Sequence, residues 1–97
     1  MNDEYREVKE LKNFVEANKK NKTLCVEIIK KASGGYYVVF KLNNISLYLC
    51  RQIRKDRPYK DALRTFSSID KAVSNVMKIG YKGNILINLE SHKGTLF

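Results

Sequence analysis

YYVVFKLNNISLYLCRQIRK, residues 36–55, decides the fold, because it reads as two strands folded back on each other around Asn43-Asn44. Asn tolerates the positive φ that a tight two-residue turn demands, so a type I′ turn is expected there. That turn sets a register in which Leu42 faces Ile45, Phe40 faces Leu47, Val38 faces Leu49 and Tyr36 faces Arg51. Side chains alternate across a strand, so these residues share one face, the predicted core face. The reverse face carries Tyr37, Val39 and Lys41 against Cys50, Tyr48 and Ser46, a mixture of aromatic, apolar and polar groups.

Upstream, TLCVEIIKK at residues 23–31 predicts a further strand, joined to the hairpin through Ser33-Gly34-Gly35. A two-residue Gly-Gly turn would put Glu27 on the core face beside Leu42. A three-residue loop with glycine in the left-handed position puts Leu24, Val26 and Ile28 there instead. The second is the expected arrangement. It also sets Glu27 across from Lys41 on the outer face, an opposite-charge pair worth roughly a few tenths of a kcal/mol.

Residues 3–17 predict a helix, with Tyr5, Val8, Leu11, Phe14 and Val15 near one side and Asn2 or Asp3 as its cap. Lys19, Lys20 and Lys22 follow its end, where cations suit the helix dipole; they read as a solvated helix terminus at least as readily as a binding cluster. After the strand at residues 45–53 comes RKDRPYKD, residues 54–61, whose proline cannot donate to a central ladder and so marks a loop. A short strand is expected to resume over 62–66. Ser67 with Asp70 three residues on fits a capping box, Ile69, Ala72, Val73, Val76 and Met77 repeat at helical spacing, and Gly80 ends the helix. Its outward side, with Lys71, Ser74, Asn75 and Lys78, is only mildly basic. NILINL at residues 84–89 predicts a last strand, and residues 90–97 a loosely ordered tail. The predicted class is α+β: an antiparallel sheet of about four to five strands with two helices packed on one face, in the order α-β-β-β-(β)-α-β.

A chain of 97 residues with 43% hydrophobic content builds one domain around one modest core. No apolar run approaches the roughly 20 residues that span a bilayer, and the first residues are acidic and polar, so a cytoplasmic location is expected. Cys25 and Cys50 are too few for a disulfide scaffold or a zinc site. They fall on the same sheet face but on strands separated by the central one, and no disulfide between them is expected.

The net charge of +9 is unevenly spread. Residues 1–16 hold 3 basic and 5 acidic residues, whereas residues 17–64 hold 12 and 3. The excess belongs to the sheet and the loop after it.

For catalysis the inventory is thin. The single histidine, His92, stands in the tail, Asp56, Asp61 and Asp70 are interleaved with cations, and Gly34-Gly35 has neither the spacing nor the lysine of a phosphate-binding loop. No catalytic residue, metal ligand or cofactor is assigned. What stands out is cations interleaved with aromatics: Lys30, Lys31, Lys41, Arg51, Arg54, Lys55, Arg57 and Lys60, with Tyr37, Tyr48 and Tyr59 available to stack. Lys and Arg displace counterions from phosphates, and exposed rings stack on unpaired bases. The reading is a small non-enzymatic nucleic-acid-binding or regulatory protein, for DNA or RNA, that contacts mainly the phosphate backbone through this sheet face and loop. The alternative is a protein-interaction module with an acidic partner, or a homodimer through the outer face or an edge strand.

Overall fold

The computed structural model of the chain describes residues 2–50 and 63–89. At its centre are β2 (Cys25–Lys30), β3 (Tyr36–Leu42) and β4 (Ile45–Leu49), joined by two hairpins. Leu42 pairs with Ile45 and Phe40 with Leu47, the register expected from the Asn43-Asn44 turn. Of the two asparagines only Asn43 has positive φ, at 54°. A type I′ turn needs positive φ at both central positions, so the turn departs from the expected I′ at Asn44 while closing a two-residue loop with the same register.

The loop between β2 and β3 has three residues, as expected, but begins one residue earlier than Ser33-Gly34-Gly35. The Lys31 N–H donates to the Gly35 carbonyl at 3.0 Å, leaving Ala32, Ser33 and Gly34 in the loop, and Gly34 and Gly35 take φ of 104° and 81°. Val26 and Ile28 are therefore buried on the core face. Glu27 therefore pairs directly with Val39 and not, as expected, with Lys41, which it meets on the diagonal, where the Lys41 ammonium reaches its carboxylate at 2.6 Å.

Past Val39 and Tyr48 the two hairpin strands part, and the chain returning at residues 63–66 enters between them. Tyr36 exchanges both backbone hydrogen bonds with Phe66, at 2.9 and 2.8 Å, and the Arg64 N–H donates to the Leu49 carbonyl at 3.1 Å. The expected pairings of Val38 with Leu49 and of Tyr36 with Arg51 are thus replaced. The returning segment thereby supplies backbone partners to the inner edges of both strands, Tyr36 of β3 and Leu49 of β4, as buried backbone groups require.

The largest departure lies at the N-terminus. Residues expected to open the first helix form β1 (Asn2–Arg6), and α1 begins only at Val8 (Val8–Ala17). Glu7 occupies the cap position in place of Asn2 or Asp3, and its amide donates to the Glu10 carboxylate at 3.2 Å. The second helix, α2 (Ile69–Ile79), starts one residue later than the Ser67 cap implies: the Ser68 hydroxyl accepts from the Lys71 amide at 3.2 Å. Gly80 ends α2 in the left-handed conformation, φ 108°, as expected. β5 (Ile85–Asn88) completes the sheet.

The sheet order is β1-β4-β3-β2-β5, and the sheet is mixed, not antiparallel. A strand-helix-strand crossover returns the chain to run the same way, so β1 is parallel to β2 and β4 to β5; two hairpin reversals make β2 parallel to β4. Both edge strands must then be parallel to their neighbours, and they are, β1 to β4 and β5 to β2. Each crossover passes two intervening strands. Both helices land on the same face, where Leu11 and Val15 of α1 and Ala72, Val76 and Ile79 of α2 close over Val26, Ile28, Val38, Phe40, Leu47 and Leu49. Burying a side chain of this size contributes about 1.5–3 kcal/mol, so this single layer holds the domain together.

Candidate anion-binding site

Because α1 and α2 both run opposite to the parallel strands, their C-terminal ends lie at the same end of the molecule. Between them opens a cleft of about 890 Å³. Its floor is apolar, with Val15, Leu24, Ile79 and Tyr81, and its walls carry Lys12, Lys19, Lys20, Lys22 and Lys82 against a single acid, Glu16.

The first wall is the loop after α1. The Asn18 side chain and amide both donate to the Phe14 carbonyl, at 2.8 and 3.1 Å, closing the helix end. Asn21 accepts from the Thr23 amide and hydroxyl at 3.0 and 2.7 Å, and its own amide donates to the Asn18 carbonyl. With the backbone held by asparagines, Lys19, Lys20 and Lys22 are left exposed. Lys19 meets Glu16 at 2.9 Å, one turn back on the exposed surface.

The second wall follows α2. The Gly80 N–H donates to the Met77 carbonyl at 3.0 Å, and Tyr81 turns inward, its ring edge-on to Phe40 at 6.3 Å and its hydroxyl donating to the Asn84 carbonyl at 2.8 Å. Burial, and then the neighbouring Cys25, push the Tyr81 phenol up from its ordinary value, which keeps it a donor. Gly83 is required beside it, since a β-carbon there would stand 2.5 Å from the Tyr81 hydroxyl. Lys82 is exposed at the turn so formed.

Charge decides what this cleft can hold. A helix C-terminus carries about half a negative charge, so the two ends together need about one cation. Five lysines and one glutamate leave a net +4 from side chains, which after the helix ends is still about +3. Lysine is a point charge on a flexible stem, suited to phosphate without geometric selection.

The residues singled out in the sequence do not converge on one site. Lys30 and Lys31 stand at the far end of β2, about 17 Å along the strand from Lys41 at the strand rise of 3.4 Å. Lys41 is on the outer face and bound to Glu27. Tyr37 is 3% exposed, so its ring is closed to stacking. Tyr48 lies between Tyr5 and Tyr37, with ring centroids at 5.7 and 6.1 Å, in a stacked row across β1, β4 and β3. Val39, Ser46 and Cys50 on this face are also buried. Arg51, Arg54, Lys55, Arg57, Tyr59 and Lys60 lie outside the described residues.

Lys12 and Lys82 entered no sequence-based site. The lysines at 19–22 are visible as a cluster, but Lys82 is 60 positions on from Lys22 and joins them only through the two crossovers. Both cysteines are free thiols, Cys25 at the cleft rim and Cys50 buried. Among the described residues no group of three His, Cys, Asp or Glu side chains stands close enough to hold a metal ion, and no helix is long and apolar enough to cross a membrane. No protein-family model, curated protein or solved structure matches the chain.

Proposed function

We propose that the protein binds the phosphate backbone of nucleic acid through the lysine cleft at the joint C-terminal ends of α1 and α2. The observation that carries this reading is the surplus of lysine there: five against one acid, more than two helix ends require. Lysines without arginine forks or open aromatic rings make backbone contacts and read no base, so binding is sequence-independent. The Arg54, Lys55 and Arg57 loop is a second candidate contact, to be tested separately.

The test is fluorescence anisotropy with labelled single- and double-stranded DNA and RNA of mixed sequence, titrated across salt. Each lysine that neutralises a phosphate adds about 0.9 to the slope of log affinity against log salt on duplex DNA. The Lys20→Gln, Lys22→Gln, Lys82→Gln variant is expected to lower that slope accordingly while remaining folded, since all three side chains are exposed. An unchanged slope in a folded variant removes the cleft from the interface. Reversing Arg54, Lys55 and Arg57 to glutamate in the same assay apportions binding to the loop. No binding of any of the four ligands at low salt ends the nucleic-acid reading.

A further inference from the structure

The two edges of the sheet are unlike each other. β1 reads NDEYR, with three charged residues, and Arg6 meets Glu4 and also Glu10, the latter at 3.7 Å. Charge of this kind is how natural edge strands prevent pairing with another chain. β5, at the opposite edge, reads ILIN, with no charge, no proline and no bulge in its register with β2. Among the described residues four large apolar side chains are exposed, and three of them are here: Leu86 at 65%, Ile87 at 43% and Leu89 at 55%, the fourth being Met77 on α2. Such a concentration marks an interaction surface.

We infer that β5 pairs with β5 of a second copy, antiparallel about a twofold axis normal to the sheet, joining two five-stranded sheets into one. The occupant follows from charge. Residues 83–89, GNILINL, are uncharged in a chain of net +9, so two copies meet here without setting like charges opposite each other, which destabilises a strand pair. An acidic partner, which the charge elsewhere attracts, finds no cation in this stretch to pair with.

Symmetry narrows the register. A twofold normal to the sheet keeps each face on its own side, so paired residues must come from the same face. Leu86 then stands opposite Leu86 or Asn88, and Ile87 opposite Ile85 or Ile87, which withdraws the exposed apolar side chains of both copies from water. Four residues of strand bury far less than the roughly 800 Å² per partner of a standard interface, so the dimer is expected to be concentration-dependent.

The experiment is light scattering and sedimentation of the whole chain over a concentration series, with hydrogen exchange on the same samples. The mass is expected to rise from 11.3 kDa towards twice that value, with amide exchange at Ile85–Asn88 slowing in step. Leu86→Lys, at an exposed position, is expected to remain folded by circular dichroism and to stay monomeric throughout. Met77→Lys, equally exposed but off the strand, should dimerise like the parent. A parent that is monomeric at every concentration overturns the inference. So does a dimer that survives Leu86→Lys, or one whose β5 amides exchange at a rate independent of concentration.

Discussion

Tyr37 and Cys50 are the two ionisable groups that the outer sheet face buries most completely, and both are shifted in the same sense. Burial above all, with the charges of Tyr48, Glu27 and Tyr5 adding to it, pushes the Tyr37 phenol up to about 12. Burial, and then the Glu7 and Glu10 carboxylates, push the Cys50 thiol up to about 11. These acids ionise more readily in the unfolded chain than in the folded one. Over the window between the two values the folded state holds the extra proton, so stability falls as pH rises. The window opens near pH 9 for Cys50 and near pH 10 for Tyr37, and closes near 11 and 12. Urea midpoints are expected to be level below pH 9 and to decline steadily above it. Tyr37→Phe, whatever it does at neutral pH, should lessen the decline above pH 10 by the Tyr37 share and leave the shares of Cys50 and Tyr81; a decline of undiminished size there would assign the alkaline loss to other groups.

At the scale of elements, what could be read early was local. Asn43-Asn44 and the Gly34-Gly35 pair specify their turns by chemistry, and the alternation of Val26, Ile28, Val38 and Phe40 specifies which face they bury. β1 was hidden for the opposite reason: NDEYR has no apolar alternation, its partner β4 is some forty residues away, and Tyr5 falls at helical spacing from Val8. Instead Tyr5 turns to the outer face and stacks on Tyr48. The parallel edges follow from element order once β1 is recognised as a strand, so one misread segment hid both the sheet's sense and the shared end of the helices. Lys82 was out of reach for the same reason.

One inter-element tie makes an asymmetric prediction. Glu27 is buried on the outer face, held by Lys41 at 2.6 Å and by the Asn88 side-chain amide at 3.2 Å, and so it links β3, β2 and the edge strand β5. Lys41 is half-exposed, and water can replace its partner. Glu27→Gln is therefore expected to cost about 1 kcal/mol or less, as partly exposed pairs do. Lys41→Met leaves the carboxylate buried with its cation gone, a loss of about 1–3 kcal/mol. Chemical denaturation of the two variants measures the difference, and equal costs would mean that the pair, and not the burial of its acid, sets the energy.

Across the whole molecule, charge is polarised along the two parallel helices. Glu7, Glu10 and Asp70 lie at their N-terminal ends beside Lys9 and Lys71, while the cleft at their C-terminal ends gathers five lysines against Glu16, a net bias in the sense that complements the helix dipoles. Two accounts of the lysines then predict opposite results. If they only neutralise the helix ends, removing them destabilises the fold. If most are surplus, as the balance of about +3 implies, they repel one another in the free protein, and removing some stabilises it. The free protein is then expected to melt at higher temperature as salt is added from low ionic strength up to about 0.1 M, where screening acts over about 10 Å. The Lys20→Gln, Lys22→Gln, Lys82→Gln variant should melt above the parent at low salt, by an amount that salt erases, and a nucleic-acid ligand that supplies the missing negative charge should stabilise the parent more than the variant. Melting curves of the two proteins at low and moderate salt, with and without ligand, decide between the accounts. A variant less stable than its parent at every salt concentration would make the lysines part of the helix ends and nothing more.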